Sequence, residues 1–113
     1  MRRLVIAAAA AATMMLPIGS ATAVADRDTD FANELHGFGI YGQRDYNAWL
    51  AKITCKRLTT GVDADASEAV TFLAGNLART SSTEQVWQFL GTGIRMYCPE
   101  HLGALTAMPG DPA

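Results

Sequence analysis

The stretch STEQVWQFLGTGIRMYCP, residues 82–99, carries the clearest helical pattern in the chain and decides its fold class. Its apolar side chains recur at intervals of three and four residues, which aligns them along one side of an α-helix: Val86, Phe89, Leu90, Ile94 and Tyr97. The polar residues between them are predicted to face water: Gln85, Gln88, Thr92 and Arg95. Pro99 ends the helix, because a proline disfavours helical geometry in the residue before it.

The start and the interior of this helix carry further signals. Ser81 and Ser82 are both capping candidates, since each is followed three residues later by a Glu or a Gln. Gly91 and Gly93 each cost about 1 kcal/mol of helix stability relative to alanine. Their presence predicts that another helix comes close to this one at that point.

A longer helix is predicted from about Asp45 to Thr59, with Gly61 as its C-terminal stop. Its apolar residues fall on two sides. One side carries Tyr46, Trp49, Leu50 and Ile53, and the roughly opposite side carries Ala48, Ala51 and Cys55. A helix that is apolar on two sides is predicted to lie wedged between neighbouring helices.

Two shorter helices flank this one. The first starts near residue 30 and stops at Gly37, after which Phe38 and Ile40 are expected to tuck the turn into the core. The third begins after residue 62, with Asp63 and Asp65 as capping candidates. No stretch alternates as a strand does, so the sequence predicts an all-α fold: a small four-helix bundle with a short first helix.

The N-terminus has the three-part pattern of a secretory signal peptide. Residues 1–3 are positively charged, residues 4–16 form an uncharged apolar run, and small residues follow. Cleavage after Ala25 would give a mature start at Asp26, and cleavage after Ala23 also fits. The alternative is an uncleaved anchor, but a 13-residue helix spans about 20 Å, short of the ~30 Å hydrocarbon core.

The sequence therefore divides into a signal peptide (1–25), a helical domain (26–101) and a flexible tail (102–113), with no stable membrane insertion after signal removal. The whole chain has nine basic and eleven acidic residues. Removal of Arg2 and Arg3 with the signal leaves a net charge of about −4, so no nucleic-acid partner is expected. Lys52, Lys56 and Arg57 crowd one helix end, which we interpret as a solvated terminus rather than a binding patch.

Cys55 and Cys98 are the only cysteines, and an exported protein can pair them in one intramolecular way. In an up-down bundle the second and fourth helices run in the same direction. Each cysteine lies near the end of its helix, so the two can meet. The sequence predicts a Cys55–Cys98 disulfide that clamps the bundle.

Three other roles for the cysteines have less support. A zinc site built from Cys55, Cys98, His101 and His36 would have one tight ligand pair where such sites have two. A haem-attachment motif C-x-x-C-H is absent, although a single His or Tyr ligand stays open. A redox or nucleophilic cysteine would need a C-x-x-C motif or a base near Cys55. We predict no metal and no cofactor.

Catalytic chemistry is not predicted either. The mature serines, Ser67, Ser81 and Ser82, lie where helices start, and none lies in a G-x-S-x-G elbow. No set of nucleophile, base and orienting residue emerges from the sequence. The prediction is a non-enzyme.

Several of these residues are similar to those of a known family: Asp30-Phe31 with Leu35, Gly39-Ile40, Cys55 with Leu58 and Gly61, and Tyr97-Cys98-Pro99. The pattern, from about Asp28 to Pro99, resembles the small secreted mycobacterial proteins catalogued as domain of unknown function 732. That family's two cysteines match Cys55 and Cys98. The resemblance implies an exported helical domain and no particular activity.

Two function classes remain at this stage. The first is an exported interaction protein, secreted to the extracellular space or the cell wall, whose partner is an unknown protein or envelope component. The second is a lipid or haem carrier with a pocket between the helices, for which the chain offers many aromatic residues: Phe31, Phe38, Tyr46, Trp49, Trp87, Phe89 and Tyr97. Aromatic residues at helical spacing more often fill a core than line a cavity.

Overall fold

A computed structural model describes the backbone of residues 16–106 and the side chains of residues 26–106. Residues 1–15, which hold the charged start and most of the apolar run of the predicted signal peptide, lie outside the described residues, as does the end of the predicted tail, 107–113. The predicted junction between Ala25 and Asp26 falls within the first helix, and cleavage there stays a prediction.

The described part of the chain is helical and contains no strand, which confirms the all-α bundle. The elements are α1 (Leu16–Gly37), α2 (Arg44–Thr60), α3 (Ala66–Ala74), α4 (Thr83–Tyr97), a 3₁₀ turn (Pro99–His101) and α5 (Leu102–Thr106). Two of them differ from the prediction. The first helix is longer than expected, and residues 102–106 form a short helix where a flexible tail was expected.

The helix caps follow the sequence closely. Ser82 rather than Ser81 caps α4, because its hydroxyl accepts from the Gln85 backbone N–H while the Gln85 side chain accepts from the Ser82 N–H. Asp65 caps α3 by accepting from the Glu68 N–H. Asp63, the other capping candidate for α3, has a different role, since its carboxylate is buried and accepts two hydrogen bonds from Arg57.

Helix α4 is the centre of the bundle, since it packs against α1, α2, α3 and α5. Its apolar side lies in the core as predicted, with Phe89, Leu90 and Ile94 almost fully buried. The Phe89 ring meets Phe31 of α1 edge to face, with ring centroids 5.3 Å apart. Buried aromatic pairs of this geometry stabilise beyond their buried area.

Gly93 lies where α4 and α2 come closest. A β-carbon at Gly93 would stand 3.3 Å from the Ala51 β-carbon, so any larger side chain would push the helices apart. This confirms the close approach predicted from the glycines. At Gly91 the nearest atom to such a carbon is a methyl of Leu105 at 3.9 Å, which is an ordinary contact.

The Cys55–Cys98 disulfide is present and joins the end of α2 to the end of α4, with the two Cα atoms 5.9 Å apart. Cys98 is buried among the core residues, and Cys55 packs at their edge. The predicted clamp between the second and fourth helices is therefore confirmed.

Two sequence-based expectations about exposed and buried faces are wrong. Tyr46 and Trp49 were expected in a buried stripe, yet they are 40% and 52% exposed. The small Ala51 side chain meets Gly93. Leu50, from the same predicted stripe, is fully buried, so α2 lies between neighbouring helices as predicted, and only the aromatic pair near its start is exposed. Thr92 was expected to face water but is buried. Thr92 lies on the same side of α4 as Arg95 and Gln85. Arg95 bonds to Glu34 of α1, and Gln85 bonds to the Phe38 carbonyl in the turn after α1. That side of α4 is therefore covered by α1 and its turn.

A polar contact joins α1, α2 and α4 on the disulfide side of the bundle. The Tyr97 hydroxyl donates to Asp28 at 2.5 Å, and the Lys52 ammonium lies 3.4 Å from the same carboxylate and 5.4 Å from the centre of the Tyr97 ring. Burial raises the pKa of Tyr97, and the bond to Asp28 raises it further. Burial also acts to raise the pKa of Asp28, but the hydrogen bonds from Tyr97 and Lys52 outweigh it and hold that pKa below its usual value.

The first prediction concerns the disulfide. Replacing both cysteines, C55S with C98S, should lower the free energy of unfolding by about 4 kcal/mol, because the bond closes a loop with a sequence separation of 43. Urea unfolding followed by circular dichroism measures this change. Reduced wild-type protein is the control and should lose a similar amount. Equal stability of the oxidised wild type and the double variant would contradict a stabilising clamp.

The second prediction concerns Tyr97 and pH. Tyr97→Phe should lower the free energy of unfolding by about 1 kcal/mol at neutral pH. The effect is modest because the Asp28 carboxylate is partly solvated. A carboxyl with a lowered pKa contributes stability above its unfolded pKa of about 3.9 and loses it as the pH falls through the folded pKa. The deficit of Tyr97→Phe relative to wild type should therefore shrink below about pH 4.

Tyr46→Phe is the matched control for this measurement. The Tyr46 hydroxyl donates to the Asn76 backbone carbonyl, which does not titrate, so that deficit should stay constant from pH 7 to pH 3. Unfolding curves of the three proteins across this range give the comparison. A constant difference in the free energy of unfolding between wild type and Tyr97→Phe from pH 7 to pH 3 would show that the hydroxyl does not stabilise the ionised Asp28 carboxylate.

Candidate functional site: an aromatic end of the bundle

The turn between α1 and α2 is built so that its neighbouring side chains point in different directions. The Ile40 side chain is buried, and the Ile40 N–H donates a hydrogen bond to the Leu35 carbonyl at 2.9 Å. Phe38 and Tyr41, on either side, are 39% and 69% exposed. The prediction that this turn enters the core is thus right for Ile40 and wrong for Phe38. Gly39 makes the reversal possible, since its φ of +79° lies in the left-handed region.

Gln85 of α4 holds this turn in place. Its amide nitrogen donates to the Phe38 carbonyl at 3.0 Å, while its amide oxygen accepts from the Ser82 N–H in the capping box. A β-carbon at Gly39 would lie only 3.2 Å from that nitrogen. The Gln85 side chain therefore takes part in the cap of α4 and also fixes the turn after α1, which carries Phe38 and Tyr41.

Two more aromatic residues stand on the first turns of α2, at the same end of the bundle. The Tyr46 and Trp49 rings are tilted against each other with centroids 5.8 Å apart. The Tyr46 hydroxyl donates to the Asn76 carbonyl at 2.9 Å, just after α3 ends. This bond fixes the Tyr46 ring and limits the directions in which its neighbour Trp49 can turn.

These four residues, Phe38, Tyr41, Tyr46 and Trp49, are called the aromatic end below. The other large apolar side chains that the described part of the chain leaves exposed are Val62 and Leu102. Scattered exposed apolar residues are normal on a protein surface, whereas a concentration of them marks an interaction site. The sequence places all four within 12 residues of chain, from Phe38 to Trp49, but its periodicity does not show that they are exposed.

A groove opens between the two turns at this end, and it is called the end groove below. It has a volume of about 360 Å³ and lies between the turn after α1 and the turn before α4. Its lining consists of Gly39, Ile40, Tyr41, Leu77, Ala78, Thr80, Ser81 and Gln85. No charged side chain is among these residues, and the groove surface is partly polar and partly apolar.

The core beside the disulfide is packed. The space there, between Ala51, Leu73 and Phe89, has no room for a water molecule. A carrier pocket between the helices was one of the two hypotheses from the sequence. Among the described residues, the end groove at the surface is a space large enough for a small molecule.

The basic residues at the end of α2 are largely engaged within the protein. Arg57 makes a two-bond ion pair with Asp63 and lies 3.9 Å from the centre of the Phe72 ring. The bond to Asp63 raises the pKa of Arg57. Lys52 contacts Asp28, as described above. Arg57 and Lys52 therefore have partners within the protein, where the sequence suggested a solvated helix end, and Lys56 is exposed as that interpretation expected.

The residues considered as metal ligands do not come together. Cys55 and Cys98 are bonded to each other, the His101 ring nitrogen lies 2.8 Å from the Thr59 hydroxyl, and His36 packs against Tyr41 with ring centroids 5.0 Å apart. Within residues 26–106, no three His, Cys, Asp or Glu side chains lie close enough to hold a metal ion. None of the helices described in residues 16–106 has the length and apolar character needed to cross a bilayer.

Comparison with known proteins places the domain in a group without an assigned activity. Residues 26–100 match the model of the family described as protein of unknown function (DUF732). Two curated relatives, from Mycobacterium tuberculosis strains CDC 1551 / Oshkosh and H37Rv, are each named as an uncharacterized protein. Each is 58% identical over 80 residues, which cover 71% of this chain and 71% of the relative. No solved structure matches the chain.

The third prediction concerns Gln85. Gln85→Ala should cost about 1–2 kcal/mol, because it removes half of the capping box and the bond to the Phe38 carbonyl. Backbone hydrogen exchange in residues 38–42 should also become faster, since the turn loses its attachment to α4. Gln88→Ala is the control: Gln88 lies one turn further along α4, and its side chain donates to Glu84 of the same helix at 3.5 Å rather than to the turn after α1. Similar exchange rates in both variants would show that Gln85 does not hold the turn.

Proposed function

Since the chain belongs to the family described as protein of unknown function (DUF732), we propose its role from its own surface: it is an exported domain that binds a partner through the aromatic end. The partner is a protein or a component of the cell envelope, met in the extracellular space or in the cell wall. The observation that carries this proposal is the presence of four exposed aromatic side chains at one end of the bundle, of which Tyr41 lines the end groove.

The energetics support a binding role for these side chains. Burial of a large apolar side chain stabilises a protein by about 1.5–3 kcal/mol, and a domain of this size has few such side chains to spare. Trp49 and Tyr41 nevertheless keep more than half of their surface in water. Aromatic residues of this kind are enriched among the residues that dominate binding at protein interfaces.

The rigidity of the surface supports the same proposal. Gln85 holds the turn that carries Phe38 and Tyr41, and the bond to the Asn76 carbonyl holds Tyr46. Side chains that are already ordered lose less entropy on binding, so more of the contact energy appears as affinity.

Export has two independent supports. The N-terminal sequence has the order of charge, apolar run and small residues that signal peptides share. The domain also contains a disulfide, and such bonds persist mainly in oxidising compartments outside the cytosol. A partner would accordingly be met outside the cytosol.

A binding role fits the end groove better than catalysis does. Thr80, Ser81 and Tyr41 contribute hydroxyl groups to its lining, but no side chain in the lining can act as a general base at neutral pH. Activation of a hydroxyl for nucleophilic attack needs such a base within hydrogen-bonding distance. We therefore propose that the protein is not an enzyme.

The second candidate function is transport of a small molecule, and the volume of the end groove favours it. A volume of about 360 Å³ is at the lower end of the range for small-molecule sites. A carrier of this type would hold its ligand at the surface between two turns. The two candidates share one site and differ in the size of what occupies it.

The fourth prediction tests the proposal in the protein's own host. Secreted material should begin at Asp26 and have an intact mass two hydrogens below that of the reduced form. A photo-reactive amino acid placed at Trp49 or at Tyr41 should then give a discrete cross-linked species on intact cells. The same amino acid at Val62, which is 61% exposed, is the matched control and should give none.

Three results would contradict the proposal. Retention of the chain in the cytosol with its N-terminus uncut would remove export. Equal cross-linking from position 62 would show that the aromatic end is not selective. Absence of cross-links from both aromatic positions, with folding verified by circular dichroism, would remove the aromatic end as the binding surface.

A further inference from the structure

We propose that the end groove binds a neutral polyhydroxylated ligand, of the carbohydrate class. The inference rests on the proposed binding function of the aromatic end and names the chemistry of what it binds. It follows from three properties of the groove: its size, the hydrogen-bonding groups in its lining, and the aromatic ring at its edge.

The size sets the scale of the ligand. The groove has a volume of about 360 Å³ and is open to solvent on one side. Small-molecule sites begin at about 300 Å³. The groove therefore accommodates a ligand of one or two rings, and a longer chain would have to extend beyond it over the neighbouring surface.

The polar lining is rich in hydroxyl groups and lacks charge. The hydroxyls of Tyr41, Thr80 and Ser81 make no hydrogen bond to any other described protein group, so each is available both to donate and to accept. The Gln85 amide nitrogen carries two hydrogens and donates one of them to the Phe38 carbonyl. The second is a further donor at the wall of the groove. Such groups match a ligand that also carries several hydroxyls.

The apolar lining suits the other side of a sugar ring. Ile40, Leu77 and Ala78 give the groove apolar surface, and the Tyr41 ring stands 69% exposed at its edge. The C–H bonds on one face of a pyranose ring carry partial positive charge, and the face of an aromatic ring carries partial negative charge. Tyr41 can therefore stack on the apolar face of a sugar whose hydroxyls bond to the opposite wall.

Two other ligand classes fit less well. A charged ligand would find no oppositely charged side chain among the lining residues. An acyl chain would cover the polar groups of Thr80, Ser81 and Gln85 without offering them a hydrogen bond, and loss of hydration without replacement opposes binding. A neutral polyol meets both the apolar and the polar parts of the lining.

The fifth prediction is tested by nuclear magnetic resonance on the oxidised mature protein, residues 26–113. Glucose, galactose, mannose and arabinose are titrated separately to about 50 mM, a range suited to the weak affinities of ligands with few atoms. At least one should shift the amide signals of residues 39–41 and 77–81 in a saturable way. Glucuronate tests a charged sugar, and palmitate tests an acyl chain.

Two variants locate the site. Tyr41→Ala should weaken binding by about tenfold, because stacking on an aromatic ring is worth up to about 1.5 kcal/mol. Tyr41 is largely exposed, so the variant is expected to fold. Val62→Ala is the matched control, since Val62 is exposed and belongs neither to the aromatic end nor to the groove lining, and its affinity should stay within twofold of wild type. Ser81→Ala should weaken binding by a smaller factor through loss of one hydroxyl.

Each remaining result counts against the inference. Lack of any saturable shift with all four sugars overturns it. Saturable shifts of the same amides by palmitate or glucuronate, without a response to neutral sugars, overturn the carbohydrate class and leave the proposed binding function in place. Equal weakening by Val62→Ala overturns the location in the groove. The proposed binding function has its own test: it fails if no cross-links form from positions 41 and 49, whatever the sugars do.

Discussion

The close contact between α2 and α4 is the constraint on which the rest of the structure depends. At Gly93 the two helices are near enough that a β-carbon would touch Ala51, and beyond that point the Cys55–Cys98 bond joins them covalently. Helices can approach this closely only where both present very small side chains. The contact therefore fixes how α2 lies against α4, with Ala51 at the seam, while Tyr46 and Trp49 near the start of α2 remain exposed.

The two ends of the bundle differ as a consequence. At the disulfide end, a covalent bond, the ion pair of Arg57 with Asp63 and the contact of Tyr97 with Asp28 hold the helices together. At the aromatic end, Gln85 links the two turns and the Tyr46 hydroxyl bonds to the Asn76 carbonyl, while the space between the turns is open. The end groove occupies this open space between the turn after α1 and the turn before α4.

The sequence predicts α4 well because all the apolar residues of that helix lie on one side, so periodicity alone fixes its orientation. It predicts the disulfide because a chain with two cysteines and an export signal allows one intramolecular pair. For α2 it predicts a helix wedged between neighbours, which is right for Leu50 and Ala51, but it does not show that Tyr46 and Trp49 lie outside the core, because that depends on how the helices pack. It misses the end groove for the same reason: residues 39–41 and 77–81 meet only after the helices have packed. The capping box of Ser82 and Gln85 was visible, but its second role at the Phe38 carbonyl depends on tertiary structure.

The disulfide at one end of the bundle offsets the stability that is lost by leaving aromatic side chains exposed at the other end. A domain of this length is stable by about 5–10 kcal/mol, and leaving Tyr41 and Trp49 mostly in water forgoes several kcal/mol of burial. The entropy that the disulfide removes from the unfolded chain is of the same size, about 4 kcal/mol. The clamp thus offsets the burial that the exposed aromatic side chains forgo, so the domain can stay folded while they remain in water.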